Sequence, residues 1–350
     1  MKKSLVALAV LGTLAGTASA QSSVTAFGVV DLAMRYTKAN GQSLSKLDAD
    51  GLSSSRLGFR GIEDLGGGLK AGFWLEGALN ADVGTAGDAP TTTANRFWGR
   101  RATVSLSSNE LGEIRLGRAK TSLRTLIDDF DVYGTVGMGA VTQVYSTLGS
   151  GADTINRSDN QVSYILPSIA GFGGFYGSVD AAPGEGTLGK KYAGGRIGYK
   201  EGAWHVSGAY QETATAGSRW KLGSVAGTYD FGIVKAGVLF SQSKYFSRKQ
   251  NIWTVNAVVP VGPGTVQLSY TKADANGAAS AASVAAASRV YDAQLYSASY
   301  VYNLSKRTAL YTTISLVDND GQGKFGVAST PAVAAGGQSG GFDVGIRHSF

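Results

Sequence analysis

Apolar and polar residues alternate along most of this chain with a period of two. Ala102, Val104 and Leu106, for example, alternate with Thr103 and Ser105. The same rhythm recurs in the segments 24–35, 70–76 and 161–166. Because successive side chains of a β-strand point to opposite faces, this period predicts strands with one apolar and one polar face. We find no stretch of helical periodicity longer than two turns.

The polar face of these predicted strands restricts the kind of fold. It carries Arg, Asp, Glu, Lys, Gln and Thr on strand after strand, and each such group would cost about 2–7 kcal/mol in a dry core without a partner. The conflict disappears if the apolar face meets lipid and the polar face lines water. Open sheet edges cannot lie in hydrocarbon, because their N–H and C=O groups would lack partners. The sequence therefore predicts an all-β fold, a transmembrane antiparallel β-barrel.

The connections between the predicted strands come in two sizes that alternate along the chain. Short ones are Gly-rich turns such as "KEGA" and "VGPG", and long ones include residues 122–156 and 183–189. In an antiparallel meander this arrangement collects the short turns at one end of the barrel and the long loops at the other. The predicted strands number about sixteen, in keeping with the even strand number of bacterial barrels.

The first twenty residues have the pattern of a secretory signal peptide. Two lysines precede an apolar run, and the segment ends with the small residues Ala18, Ser19 and Ala20. We expect residues 1–20 to be removed during export through the periplasm and residues 21–350 to form a single barrel domain. The alternative, a lone membrane anchor, needs a longer run. Because the segment holds two lysines and no acidic residue, its removal lowers the formal net charge from +7 to +5.

Composition argues against several classes of protein. The chain has no cysteine and two histidines, a poor basis for structural zinc, so we predict no metal and no cofactor. The mean hydropathy is −0.01, and no apolar run of about 20 residues follows the first segment, which argues against membrane helices. The basic residues are dispersed over the strands, so nucleic acid is not a predicted partner.

One short motif raises the question of an enzyme. The letters "GQSGG" match the G-x-S-x-G pattern around Ser339, and His348 follows. That motif needs a strand-to-helix elbow and an acidic residue between Ser and His. Ser339 instead precedes the last predicted strand, and Asp343 lies on that same strand. We therefore predict that the protein is not an enzyme.

Aromatic residues recur near the ends of the predicted strands. Trp98, Trp220 and Trp253 lie just inside strands that follow long loops, while Tyr199 and Trp204 flank a short turn. Rings at strand ends are typical of the two interfacial girdles of an outer-membrane barrel. We expect these rings to lie in the girdles.

Longer motifs resemble a known family. They are "SSVTAFGVVD", "SSRLGFRGIEDLGGGLKAGFWLE", "LGEIRLGRAKTS", "RSDNQVSYILPSIAGF" and the final "FDVGIRHSF". Through them residues 21–350 are similar to the trimeric general porins of Gram-negative bacteria, of the type found in Neisseria, Bordetella, Burkholderia and Comamonas. The resemblance implies a sixteen-strand barrel in the bacterial outer membrane, a homotrimer, contacts with lipid and lipopolysaccharide, and a third long loop folded into the lumen. It also implies a water-filled channel for passive diffusion of ions and small hydrophilic solutes.

The longest internal connection, about residues 122–156, is the candidate constriction loop. A connection of this length without a strand pattern usually has a function. It contains Asp128, Asp129 and Asp131, which we expect to hang in the lumen as the acidic side of the constriction. An inert acidic surface loop is one alternative, and a calcium site is another, because carboxylates clustered in a loop can serve as oxygen ligands.

Side-chain parity assigns several arginines to the lumen face of the predicted barrel. Arg35 shares a face with Asp31, for example. Porins of this type carry a cluster of wall arginines at the narrowest part of the pore. By the resemblance we assign that basic wall to Arg56, Arg101 and Arg157, extended by Arg35 and Arg60, with Glu76 as its acidic partner. The alternative for each residue is a structural salt bridge inside the barrel.

These charges predict how the channel selects solutes. Arginines on one wall and carboxylates on the loop set up a transverse field across a water-filled slot. The arginines and the net charge favour a weak anion preference, and the acidic loop opposes it. The alternatives are a substrate-specific channel for sugars or organic acids, and a surface barrel with an adhesin role.

The last predicted strand supplies the closure of the barrel. Phe342, Val344 and Ile346 have the parity of lipid-facing residues. This strand must pair with the first, near "SVTAFGVVD", because an unpaired edge is excluded from the membrane. We expect Phe350 to lie in the girdle at the short-turn end, and the resemblance implies that a terminal Phe is a signal for assembly into the outer membrane.

Overall fold

The computed structural model describes residues 23–86, 96–167, 173–276 and 291–350. The expected signal peptide, residues 1–20, lies outside the described residues. Within these ranges no helix is both long enough and apolar enough to cross a membrane.

The secondary structure is dominated by strands. They are β1 (Ser23–Ala39), β2 (Gln42–Ala49), β3 (Arg56–Gly66), β4 (Leu69–Asn80), β5 (Thr85–Ala86), β6 (Arg101–Ser108), β7 (Gly112–Lys120), β8 (Arg157–Ile165), β9 (Phe175–Ala182), β10 (Tyr192–Glu201), β11 (Trp204–Thr215), β12 (Ser218–Asp230), β13 (Lys235–Tyr245), β14 (Arg248–Val261), β15 (Gly264–Asn276), β16 (Tyr291–Asn303), β17 (Thr308–Gly321) and β18 (Gln338–Ser349). Between β7 and β8 lie the helix α1 (Ser122–Phe130) and a 3₁₀ helix (Val141–Val144).

All strand pairs are antiparallel, and β18 pairs with β1 to close the sheet. β2 and β3 both pair with β1, on either side of an interruption at residues 50–55, and together form one wall of the barrel. The two-residue strand β5 only lengthens the hairpin that starts at β4. Over the described residues the structure is therefore a closed barrel of sixteen strands, which confirms the predicted fold class.

The outer surface of the barrel is apolar. On β12 the side chain of Val225 is exposed while that of Ser224 is buried, and on β13 Val238 is exposed while Leu239 is buried. Because alternate side chains of a strand share a face, these exposed side chains form an outward belt that is suited to lipid. Trp204 and other aromatic residues contribute to this outer surface.

The seam between the last and the first strand is closed by the final residue. The backbone N–H of Phe350 donates to the carbonyl of Gly28 at 3.1 Å, and the N–H of Gly28 donates to the carbonyl of Phe350 at 3.1 Å. A Cβ atom at position 28 would overlap the Phe350 ring, so glycine lets the ring lie on the strand. The expected pairing of the last strand with the first is confirmed.

Helix α1 was missed by the periodicity argument. The Thr121 hydroxyl caps it by accepting a hydrogen bond from the N–H of Arg124 at 3.2 Å. Its buried face consists of Leu123, Leu126, Ile127 and Phe130. These positions follow the i, i+3, i+4, i+7 rule, but the helix is nine residues long, too short for that rule to stand out.

An apolar cluster lies inside the barrel, where α1 and the chain after it cover part of the inner wall. Trp220, Leu222, Leu239 and Ile252 point inward from their strands and pack with Leu126 of α1. The expectation that Trp220 lies in a girdle is therefore wrong, because its side chain is 0 % exposed and opposes the buried Thr213 across the β11–β12 pair. The inner face is polar only where the chain leaves it open to water.

Candidate functional site

Residues 122–156 are held against the inner wall by hydrogen bonds from strand side chains. Asn256 donates through Nδ2 to the carbonyl of Phe130 at 2.8 Å, and Gln250 donates through Nε2 to the carbonyl of Val144 at 2.8 Å. The Tyr145 hydroxyl donates to Ser241 Oγ at 2.6 Å. We call this side of the barrel, with the segment bound to it, the loop-covered wall.

Asp131 is the buried acceptor around which this segment folds. It does not hang in the lumen as expected. Its side chain is 4 % exposed and accepts hydrogen bonds from the backbone N–H groups of Tyr133 (3.1 Å), Thr135 (3.0 Å) and Val141 (3.1 Å). Burial raises the pKa of the Asp131 carboxyl to about 6, although the three N–H donors oppose this rise. Asp131 thus folds the loop, because it satisfies backbone donors that have no other acceptor nearby.

Asp128 and Asp129 are both engaged in ion pairs. Asp128 binds Arg124 Nε at 2.7 Å and also contacts the ammonium of Lys120. Burial opposes ionisation of Asp128, but these two cations hold its pKa below the usual value. Asp129, whose side chain is 45 % exposed, binds Arg196 Nη1 at 2.7 Å. Of the three acids, Asp129 alone keeps the exposed carboxylate that was expected of all three.

The opposite inner wall carries a dense group of cations around a space of 600 Å³. We call this side the basic wall. Its charged residues are Arg56, Arg60, Arg100, Arg101, Arg115, Lys120, Arg157 and the single acid Glu76. The fold therefore brings five of the predicted residues together around this space: Arg56, Arg60, Glu76, Arg101 and Arg157.

Glu76 organises the centre of the basic wall. Its Oε1 atom accepts from Arg100 Nε at 2.6 Å and lies 3.9 Å from Arg56 Nε, while Oε2 accepts from Trp74 Nε1 at 3.1 Å. Because β3 and β4 are paired, these side chains project from adjacent strands into the same space. One carboxylate therefore fixes two guanidinium groups and an indole ring.

Trp74 serves as a platform for two more guanidinium groups. The Arg101 Cζ atom lies 4.5 Å from the centre of its ring system, and the Arg60 Cζ atom lies 5.1 Å away. The Phe27 ring meets Trp74 edge-on at 5.1 Å. Stacking on an aromatic face restrains an arginine without neutralising it, so both cations stay available to solutes.

Three cations of the basic wall were not among the predicted wall residues. Arg100 precedes β6, so strand parity does not describe it, yet it enters the wall beside Arg101. Arg115 has inward parity on β7 and donates through Nε to Glu113 Oε1 at 2.9 Å. Lys120 is directly opposite Arg157 in the β7–β8 pair, at the root of the loop. Parity had already indicated that Arg115 faces the lumen, but the resemblance did not assign it to the wall.

Arg35 does not belong to the basic wall, contrary to the prediction. Its side chain is 4 % exposed and contacts Asp48, Asp343 Oδ2 at 3.2 Å and Ser329 Oγ at 3.3 Å. It thus joins β1 to β2, to β18 and to the chain between β17 and β18. The alternative reading, a structural salt bridge, describes Arg35.

No site for a metal ion is formed by the acids of the loop. Within the described ranges, no group of three or more His, Cys, Asp or Glu side chains is arranged to hold a cation. Asp128, Asp129 and Asp131 face three different sets of partners, because the helix and the turn after it point them in different directions. The calcium alternative therefore has no geometric support.

The arrangement defines a class of protein. A closed barrel with an apolar outside, a charged inside and a loop bound to one inner wall is a transmembrane channel of the outer-membrane kind. Residues 7–322 match the family model described as Gram-negative porin, and the chain belongs to this family.

Relatives and solved structures agree with this assignment. The chain is 38 % identical to outer membrane porin protein 32 of Delftia acidovorans over 372 residues, covering 100 % of both chains. It is 28 % identical over 410 residues to an outer membrane porin of Bordetella pertussis, again covering 100 % of both. The structure of an anion-selective porin from Comamonas acidovorans aligns with a TM-score of 0.80 and 34 % identity, covering 94 % of this chain and 100 % of that one.

Proposed function

We propose that this porin is a general diffusion channel for ions and small hydrophilic solutes, with a weak preference for anions set by the basic wall. Its location is the bacterial outer membrane. The loop-covered wall narrows the lumen from one side, and the basic wall forms the other side of the constriction. Solutes cross by diffusion, without a chemical step.

The observation that carries the anion preference is the imbalance of charge at the constriction. Six arginines and one lysine line the space of the basic wall, together with the acid Glu76, while Glu113 and Asp128 beside it bind Arg115 and Lys120. On the loop, Asp131 is buried, and Asp128 and Asp129 are paired with cations. The acids therefore oppose the arginines less than their number in the sequence suggests.

The mechanism is electrostatic focusing. Charges of one sign along a narrow aqueous passage raise the local concentration of counter-ions. Arginine suits this task because it stays charged at every working pH. Exposed to water, the cations attract anions without holding them, which keeps the passage conductive.

The sign of the preference is measured by the reversal potential of the channel in a planar bilayer under a KCl gradient. The proposal predicts a potential displaced towards the chloride equilibrium potential, and a smaller displacement at high salt because the wall charges are screened. A potential displaced towards that of potassium would overturn it.

A substrate-specific channel is the second candidate, and the Trp74 platform favours it. An aromatic face flanked by Arg60 and Arg101 would suit a small organic acid with a planar or apolar part. Liposome swelling with sugars, amino acids and organic acids of graded size separates the two functions. A general channel gives rates that fall with size, with a small advantage for anions of equal size, whereas a specific one gives saturation with one class of acid.

The quaternary structure belongs to the same proposal. The family resemblance supports a homotrimer, surrounded by lipid and lipopolysaccharide. Chemical crosslinking of the protein in native outer membranes, followed by mass analysis, would give trimers as the largest product. Monomers alone would contradict this assembly.

A further inference from the structure

One of the two histidines of this chain, His205, lies on the inner face of the barrel. It follows the short turn between β10 and β11 and shares its face of β11 with the buried Ser207, whereas Trp204 and Val206 are exposed on the other face. Its imidazole is partly exposed and lies at the short-turn end of the lumen. Because the unperturbed charge of histidine changes between about pH 5 and 8, this position can add a charge to the lumen.

The hydrogen bonds around His205 indicate which ring nitrogen carries the proton. Arg196 on β10 donates through Nη2 to the Tyr176 hydroxyl oxygen at 2.7 Å, and that oxygen lies 2.8 Å from His205 Nε2. A guanidinium group can only donate, so the Tyr176 oxygen accepts from Arg196. The proton of the Tyr176 hydroxyl is then directed at Nε2, which accepts it. In this arrangement the imidazole is neutral and its proton is on Nδ1.

The same group of side chains holds the end of helix α1. The Phe130 ring lies over the His205 imidazole, with ring centres 4.4 Å apart and planes inclined by 33°. Asp129 binds Arg196 Nη1 at 2.7 Å, and Arg196 Nε donates to Ser207 Oγ at 3.0 Å. His205 therefore lies beside the segment that narrows the lumen in the proposed channel, on the loop-covered wall.

Charged groups face His205 from three neighbouring elements. They are Asp129 of α1, Arg196 and Lys200 of β10, and Lys235 of β13. Lys200 is directly opposite His205 in the β10–β11 pair, and the uncharged hydroxyl of Tyr176 reaches the ring from β9. A proton on His205 would therefore add to a region that already carries more cations than acids.

We infer that His205 is a specificity-determining residue that makes the anion preference of the channel depend on pH. At about pH 8 the ring is neutral and accepts from Tyr176, whereas at about pH 5 both ring nitrogens carry a proton and Nε2 donates to the Tyr176 oxygen. The lumen then gains one positive charge beside α1, and the anion preference rises. This inference rests on the proposed channel function and goes beyond it, because the arginines of the basic wall keep their charge over this range.

Reversal potentials in a planar bilayer under a KCl gradient, measured between about pH 8 and pH 5, test this inference. The chloride-to-potassium permeability ratio of the wild type should rise about twofold over this range, because one added charge in the lumen attracts chloride and repels potassium. His205→Gln, whose carbonyl oxygen can still accept from Tyr176, should lose this rise. Its ratio at about pH 8 should equal that of the wild type, since both side chains are then neutral.

Two further variants make the result specific. His348→Gln removes the other histidine, which is exposed on β18 and hydrogen-bonded to Thr308 Oγ1 at 2.9 Å, and it should keep the full rise. His205→Lys carries its charge throughout and should show at about pH 8 the ratio that the wild type reaches at about pH 5. Because His205→Gln retains Asp131, any pH dependence that comes from the loop turn remains in this variant and can be subtracted.

An equal rise of the permeability ratio in the wild type and in His205→Gln would overturn the inference, because the titrating group would then lie elsewhere. A constant ratio in the wild type between about pH 8 and pH 5 would also overturn it. Failure of the proposed channel function is distinguishable from both results. That function is tested by the sign of the preference, whereas the role of His205 is tested by its change with pH.

Discussion

The two sides of the lumen, the basic wall and the loop-covered wall, differ in charge and in burial. The basic wall gathers six arginines and a lysine around an open space, whereas the loop-covered wall is apolar and buried where Leu126, Ile127 and Phe130 meet Trp220. In the proposed channel, the first wall supplies charge and the second supplies the surface that sets the width. Selectivity and size limit therefore depend on different residues, and they can be changed separately.

The largest expected effect comes from placing a charge in the dry interface. Leu126→Asp should destabilise the attachment of the loop by about 5 kcal/mol, because it removes a buried apolar side chain and buries an unpaired carboxylate. Single-channel conductance should rise and become noisy, while the sign of ion preference stays the same. Thr142→Asp, at a partly exposed position of the same segment, is the control and should conduct like the wild type.

The next effect tests the turn that Asp131 organises. Asp131→Ala leaves three backbone N–H groups without their acceptor and should loosen the loop by about 3 kcal/mol. Limited proteolysis of the folded porin should then cut within residues 131–141, whereas Asp131→Asn, which keeps an acceptor oxygen, should resist longer. Equal resistance of wild type and Asp131→Ala would refute the role given to this residue.

The pH dependence of the same turn is predicted by its raised pKa. The folded loop holds a proton on Asp131 up to about pH 6, whereas the carboxyl of an unfolded loop loses it near 3.8. The free energy of loop opening is therefore highest below pH 3.8, falls by up to about 3 kcal/mol as the pH rises to 6, and is constant above it. Hydrogen exchange of the amides of Tyr133, Thr135 and Val141, corrected for intrinsic rates, should show this fall, and Asp131→Asn should abolish it.

The smallest effect concerns the contact of the loop with β10. Asp129→Asn breaks an ion pair with Arg196 in which the carboxylate is exposed, so stability should change by less than about 1 kcal/mol. The lumen loses one negative charge, and anion preference should increase slightly in reversal-potential measurements. An unchanged reversal potential would mean that Asp129 does not face the permeating ions.

The contrast between the walls also explains what the sequence could predict. Side-chain parity and the exclusion of open sheet edges from the membrane were enough to predict the barrel, the pairing of its last strand with its first, and the inward direction of Arg56 and Arg101. These features follow from strand geometry alone. The inward direction of Glu76 followed from the same parity rule. These are properties of one strand and its immediate partner.

What the sequence could not predict depends on contacts between distant segments. The side chains of Trp220 and Leu239 point inward although they are apolar, because the loop covers them. A rule that considers each strand by itself does not include the loop. Asp131 is a buried acceptor because the turn after α1 brings three N–H groups to it. Arg35 has lumen parity, yet the folded chain near Ser329 and Asp48 closes over it.

The central claim is that the basic wall, and not the overall positive charge, sets the ion preference. The most direct measurement is the reversal potential, under a KCl gradient, of Arg56→Gln/Arg101→Gln beside the control Arg219→Gln/Arg307→Gln, which removes the same charge outside the wall. The account predicts that the wall variant loses most of the anion preference while the control keeps it. Equal potentials for the two variants would contradict the account.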